Sequence, residues 1–451
     1  MNSINPYTGI LIKKHDVLSD KALVEKIEKA DSASKLFRET NFSQRSLLLK
    51  KAAEILIRKS FDYAEIITNE MGKPISESLA EIKKCAWVCE YYAENAEEFL
   101  KDKVIKSDAQ ISYVKYQSMG SILAVMPWNF PFWQLFRFAA PALMAGNTVL
   151  LKHASNVQIS ANTIQDIFDE AGFEAGVFQN LAIKSHKVKS VLDHPAVKAV
   201  TLTGSEAAGS AVAEIAGKNI KKSVLELGGN NAFVVLKGAD INQAVETALL
   251  ARLLNGGQSC IAAKRFILEN EIHDQFIDLL IKRMGAYMPG DPLNVDTKMG
   301  PLASEYQAKD VHFQMMKSIE MGAKLIYGGK QEGAIFEPSI LKNVSPGMPA
   351  FDEELFGPVF AITTAYSYEE ALELANKSDF GLGINVFTKS KEKAEYFITN
   401  AEEGAVFINS MVKSDPRLPF GGVKKSGFGR ELSVEGIKEF VNIKTVYIEN
   451  L

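Results

Sequence analysis

A chain of 451 residues is longer than one hydrophobic core usually supports, since cores stop growing near roughly 250–300 residues, so at least two domains are expected. Its composition, 47% hydrophobic and 24% charged with 15 prolines, excludes a disordered or low-complexity chain, and a net charge of −4 gives no electrostatic case for nucleic acid or an anionic membrane surface as partner. Three cysteines cannot pair into a disulfide framework and fit a reducing, cytoplasmic setting.

The opening MNSINPYTGILIKKHD has no basic start followed by an apolar core, so no secretory signal is expected there. Nor does any apolar run reach membrane-spanning length, because FAAPALMAGNTVLL is broken by Pro141 and Gly146. Residues 18–105 read almost wholly as helix, with Cys85 and Cys89 four apart on one face. Buried packing accounts for that pair, and no neighbouring His or Cys cluster suggests a metal. From 111 to 235 short apolar strands alternate with amphipathic helices, which predicts a doubly wound parallel sheet. A second alternating series starts near NAFVVLKGAD and runs through a helix at 241–254, KRFILE, IHDQFIDLLIKRMGAY, PVFAITTAYS, SYEEALELANKS and GAVFINS. The boundary between the two series falls near Gly228–Gly229. The end, EGIKEFVNIKTVYIENL, and ISYVKYQSM at 111–119 are strand-like without covering helices, and are expected to form a flap that pairs with another subunit.

Five short stretches carry chemistry. MPWNFPFWQLFR (126–137) brackets Asn129 between prolines and aromatic residues. An amide held so rigidly can donate to an oxygen that becomes negative, or can satisfy its own turn. VLLKHAS (149–155) places Lys152 at the C-terminal end of a strand, the side on which open α/β sheets bind ligands, although surface lysines are common there. VKAVTLTGSEAAG (197–209) runs from strand through Gly204–Ser205 into a helix, whose free N–H groups suit a phosphate or merely connect two elements. VLELGGNN (224–231) ends a strand on Glu226, a carboxylate among apolar neighbours, poised as a base or capping local N–H groups. In LLNGGQSCIAAKR (253–265), Gly256 and Gly257 stop a helix just before Cys260, which is either a reactive thiol or a small buried apolar residue.

PWNFP, ELGGNN, GQSC, EELFGP and PFGGVKKSGFGRE, in this order and spacing, resemble the aldehyde dehydrogenase superfamily. The resemblance runs from NPYTG near residue 5 to the C-terminus and includes GDPLNVDTKMGPL at 290–302. It implies an α/β fold of two doubly wound parallel-sheet domains plus a small β flap. Residues 1–110 and 120–228 would form the cofactor-binding domain, 229–415 the catalytic domain, and 111–119 with 430–451 the oligomerisation flap of a homodimer or homotetramer. By the same resemblance Cys260 attacks an aldehyde as its thiolate, and Asn129 with the Cys260 N–H meets the oxyanion. Hydride passes to a nicotinamide, and water activated by Glu226 releases the acid from a thioester. Trp128, Lys152, Gly204, Ser205, Leu227, Glu354 and Phe356 match cofactor-contacting positions. Ser155 stands where many NAD-using members carry a glutamate. Without that carboxylate a 2′-phosphate meets no repulsion, so NADP is expected to be accepted in preference to NAD, with Lys152 and Ser155 on the phosphate.

NFPFWQLFR, KHAS and KSDPRLPFGG are similar to the shorter bacterial branch that oxidises succinate semialdehyde to succinate. Arg137 is accordingly expected to hold the substrate carboxylate, the other reading being a salt bridge to a neighbouring acid. Ser414 and Arg417 are placed to add a second contact. Another small aliphatic aldehyde or semialdehyde, or transfer of the acyl group to CoA, is the alternative. Glu226 argues against CoA transfer, because thiol transfer has no use for a hydrolytic base. No metal is expected in the mechanism.

Overall fold

A computed structural model of the chain describes residues 1–450. A six-stranded sheet has the spatial order Gly427–Phe428, Lys222–Glu226, Val197–Thr203, Ser121–Met126, Thr148–His153, Phe178–Asn180. Five of these strands run parallel, and the Gly427–Phe428 edge is antiparallel. From Ser121–Met126 the chain winds outward through Thr148–His153 and Phe178–Asn180. It then returns to the other side through Val197–Thr203. A topological switch point therefore lies between Ser121–Met126 and Val197–Thr203, where such sheets take ligands at the strands' C-terminal ends. Pro127–Trp128–Asn129 leaves one of these ends and Gly204–Ser205 the other.

The second sheet has seven strands in the order Lys324–Tyr327, Ser339–Lys342, Val359–Ala365, Ala263–Glu269, Asn231–Val235, Ile384–Phe387, Val406–Ile408. Only Lys324–Tyr327 pairs antiparallel. The chain passes from Glu226, at the C-terminal end of one sheet, directly into Asn231–Val235, at the N-terminal end of the other. Cys260 precedes Ala263–Glu269 at that same N-terminal end. The two motif-bearing edges face each other.

A third sheet pairs Val441–Ile448 with Ile111–Ser118 over eight residues, with Lys103–Val104 on its far side. Several elements go beyond the sequence reading, among them the helix Glu305–Glu320, the strands Ser339–Lys342 and Ile384–Phe387, and two short ones near the chain ends. Ser433–Lys438 is a helix rather than part of the terminal strand, and Asn2–Ile4 forms a hairpin with Leu11–Lys14. The Asn5 carboxamide turns that hairpin by accepting from the N–H groups of Tyr7 and Thr8 (2.9 and 3.0 Å), a side-chain device that periodicity does not register. Among the described residues no helix is long and apolar enough to cross a membrane.

Candidate active site

The loop carrying Cys260 is made by backbone that only small residues tolerate. The helix Ile241–Leu253 stops where Asn255, Gly256 and Gly257 take positive φ (55°, 61° and 77°). A Cβ at Gly257 would collide with the Gly357 carbonyl. Asn255 then ties the turn down, its Nδ2 donating to the Asn129 carbonyl (2.8 Å) while its N–H donates to Glu77 (2.7 Å). Beneath the loop the fully buried Lys264 ammonium donates to the carbonyls of Ser259 (2.8 Å) and Cys260 (2.9 Å) and pairs with Glu354 (3.1 Å).

Cys260 lines two chambers at once, sharing that position only with Gln134. One chamber, about 270 Å³, opens at the switch point. Trp128, Gly204, Ser205, Leu227, Glu354 and Phe356 all line it, with Trp128 and Phe356 edge to face at 5.8 Å. Ser205 caps the helix Glu206–Lys218 by accepting from Ala208 N–H (3.3 Å), which leaves first-turn N–H groups directed outward. Asn129 also lines this chamber. One hydrogen of its Nδ2 goes to the Gln258 carbonyl (3.1 Å), so the second is available to a ligand. The Cys260 N–H has no acceptor among the described residues.

The other chamber, about 340 Å³ and mostly apolar, is walled by Phe130, Trp133, Phe420 and Met411, with Lys84, Arg137 and Ser414 among its polar members. Its Trp133 side hangs on the N-terminus of the helix Trp133–Met144, every residue of which is buried. Glu81 caps that terminus by accepting from the N–H groups of Phe132 and Trp133 (2.9 Å each), and is itself paired with buried Lys73.

Lys152 and Ser155 lie outside both chambers. Ser155 lines a larger cleft of about 900 Å³ that shares Trp128 with the smaller chamber. Lys152, 8% exposed and without a carboxylate partner, donates to Ser185 Oγ (3.4 Å), a residue the sequence reading did not single out.

Three expectations need correction. Arg137 is not a free cation: its guanidinium pairs with buried Glu431, donates to Thr203 Oγ1 (3.3 Å) and lies over the Phe420 ring (4.6 Å). The salt bridge supplies the counter-charge that a cation only 2% exposed needs, while Arg137 still lines the apolar chamber. Arg417 is likewise held by Asp415 in a two-pronged pair (2.8 and 2.7 Å). Glu226 is set back from the chambers that Cys260 lines. Its buried carboxyl lines neither chamber, lies beside Gly421 and has no hydrogen-bond partner on either oxygen. Burial first, then nearby Glu431, holds it well above the usual carboxylate range. Burial also pushes the Cys260 thiol up to about 11, against the pull of Arg137 and Lys264. At neutral pH the unliganded thiol is protonated.

Arg137→Ala is therefore expected to act through stability. Stranding Glu431 beside Glu226 should cost about 3–5 kcal/mol, visible as a lowered unfolding midpoint, with activity toward charged and uncharged aldehydes falling together. A loss confined to a charged substrate would restore Arg137 as its clamp.

The model of the "Aldehyde dehydrogenase family" matches residues 1–446. This chain belongs to that family. A protein of Synechocystis named "Probable succinate-semialdehyde dehydrogenase (NADP+)" is 48% identical over 449 residues, covering 99% of each chain. A Mycobacterium tuberculosis "Succinate-semialdehyde dehydrogenase (NADP+) 1" is 46% identical over 452 residues, again 99% of both. The crystal structure of succinic semialdehyde dehydrogenase from Streptococcus pyogenes with NADP+ superposes with a TM-score of 0.97 at 41% identity, covering both chains completely. The aldehyde dehydrogenase fold expected from the motifs is the fold observed.

Proposed function

We propose that the chain oxidises succinate semialdehyde to succinate with NADP as the preferred acceptor, NAD being the weaker alternative. The observation that carries this reading is the position of Cys260 as the common wall of the two chambers. The names of the relatives above point the same way. Residues 1–110 and 120–228 would bind the cofactor and 229–415 supply the nucleophile. The edge strand Val441–Ile448, unpaired on one side, would join a second copy in a cytoplasmic homodimer or homotetramer.

The residues present fit such a cofactor. The ammonium of Lys152 lacks a carboxylate partner and donates to Ser185 Oγ, and Ser155 lines the larger cleft that shares Trp128 with the chamber of the Ser205 helix N-terminus. Bound NADP supplies the acceptor for the hydrogen and electron pair that leave the substrate. The protein does the rest. The Cys260 sulfur, once deprotonated, adds to the aldehyde carbon, and the oxygen that gains charge lies against Asn129 Nδ2 and the Cys260 N–H. After oxidation the acyl group is held as a thioester on the same sulfur. Glu226 takes a proton from the attacking water. The acid departs and the sulfur is restored. Deprotonation of Cys260 is favoured by the cation of Lys264, which also orders the loop.

The test is a comparison of kcat/KM across a panel of aldehydes, with both cofactors and without CoA. Acid formed without CoA, most efficiently from succinate semialdehyde with NADP, is the expected result. A preference for NAD or an absolute need for CoA would overturn it. Ser155→Glu should reverse the cofactor preference, weakening NADP by about 10–100-fold through like-charge repulsion with the extra phosphate, read as the ratio of kcat/KM with NADP and NAD.

A further inference from the structure

His153 closes the strand Thr148–His153, directly after Lys152, and is fully buried without lining either chamber or the larger cleft. Its Nε2 donates to the Pro131 carbonyl (2.8 Å), and its Nδ1 accepts the Ala154 N–H (2.9 Å). A carbonyl only accepts and an amide N–H only donates, so the ring is the neutral tautomer with its hydrogen on Nε2. Burial lowers His153 to about 4, in keeping with that neutral state. With both nitrogens bonded to backbone and no opening onto the site, the ring can act on geometry but not on proton transfer. Pro131 lies two residues beyond Asn129, at the far end of the turn that leaves the neighbouring strand Ser121–Met126. On the other side, Ala154 is held at both backbone groups, its N–H by His153 and its carbonyl by Gln158 Nε2 (2.9 Å). The helix Gln158–Glu170 has no side-chain cap from its own N-cap residue. Glu70 supplies one from a distant helix, accepting the N–H groups of Ile159 and Ser160 (2.8 Å each). The backbone that presents Ser155 is thus firmly built, and the imidazole bonds it to the Asn129 turn.

We propose that His153 is a positioning residue that locks the loop bearing Ser155, where the 2′-phosphate of NADP would lie, to the turn bearing the oxyanion donor Asn129. The assignment rests on the NADP reading above. Its two ends have separate consequences. The Nδ1 end fixes the direction in which Ala154 hands the chain to Ser155, and so the fit of the phosphate. The Nε2 end fixes the return of the Asn129 turn. Asn129 is already tied to the Cys260 loop, its Nδ2 donating to the Gln258 carbonyl (3.1 Å) and its carbonyl accepting from Asn255 Nδ2 (2.8 Å). A displaced Pro131 would therefore be felt where the amide meets the developing charge. The two ends can be cut separately, because an asparagine amide reaches about as far as Nδ1 and a glutamine amide about as far as Nε2. His153→Asn keeps an acceptor for the Ala154 N–H and loses the donor to Pro131. His153→Gln keeps the donor and loses the acceptor.

The test measures Kd for NADP and for NAD by calorimetry without aldehyde, and kcat for succinate semialdehyde, in the wild type and three variants. In His153→Gln the preference for NADP over NAD in binding should fall about 5–10-fold, as for one lost hydrogen bond, with kcat little changed. In His153→Asn that preference should persist while kcat falls about 10-fold through the misplaced amide. His153→Phe, which keeps the bulk and loses both bonds, should show both defects. Should the phenylalanine variant fail to fold, the two polar variants decide the matter. Wild-type values of both quantities in both polar variants would overturn the assignment. So would equal losses in the two cofactors' binding and in kcat that track a lowered unfolding midpoint, because His153 would then be a packing residue only. Tighter binding of NAD than of NADP by the wild type would instead overturn the NADP reading, and this assignment with it.

Discussion

Cys260→Ser is expected to lower kcat for aldehyde oxidation by about 10⁴-fold or more, because an alcohol is a far weaker nucleophile than a thiolate at neutral pH and acts as a unit with the groups around it. The substitution is nearly isosteric in a loop held by Lys264, Asn255 and Glu77, so the unfolding midpoint should change little. Neither of the other cysteines can take over. Cys85 and Cys89 are fully buried on the helix Ile75–Phe99, and burial raises both thiols, so neither forms a thiolate near neutral pH. Retention of activity in the serine variant, measured as NADPH formation, would remove the nucleophile from the proposed mechanism.

Glu226→Gln separates the two halves of the reaction. Acylation of Cys260 does not use this carboxyl, whereas hydrolysis of the thioester does. The variant should release about one equivalent of NADPH in a burst and then stall, with kcat down by about 10²–10⁴-fold for loss of a general base. The sign of the pH effect follows from the raised pKa of Glu226, caused by burial and then by Glu431. A carboxyl that holds its proton more tightly than usual must lose it before it can act as a base, so steady-state turnover should rise with pH above the usual carboxylate range. That rising limb should vanish in the glutamine variant. A burst that disappears together with turnover would place Glu226 in the first step instead.

Much of the fold can be read from the chain because strand and helix periods alternate over long stretches. Most of the parallel strands and the helices that flank them have largely apolar cores, whereas Ser339–Lys342 and Ile384–Phe387, four residues each, are too short to stand out. The hairpin at Asn2–Ile4 and Leu11–Lys14 escapes that reading because it is exposed and held by a side-chain turn, and Ser433–Lys438 because six residues span fewer than two helical turns. In the site, Cys260, Asn129 and the residues lining the switch-point chamber lie within motifs whose prolines and glycines fix the backbone. What the chain does not announce is how its buried charges pair. Arg137 and Glu431 are far apart in sequence, and only the packed structure shows that one cancels the other. Lys264 leaves a faint trace as a charge opening an apolar strand beside the cysteine. Lys84 leaves none, since KKC reads as an ordinary helical surface until Ser414 and Trp133 arrive beside it from other parts of the chain.

The most direct test captures the intermediate. Glu226→Gln mixed with succinate semialdehyde and NADP, quenched after the burst and digested, should yield a thioester on the peptide containing Cys260 and on no other. An acyl group on Cys85 or Cys89, or a burst of NADPH with no covalent adduct on the protein, would contradict the account.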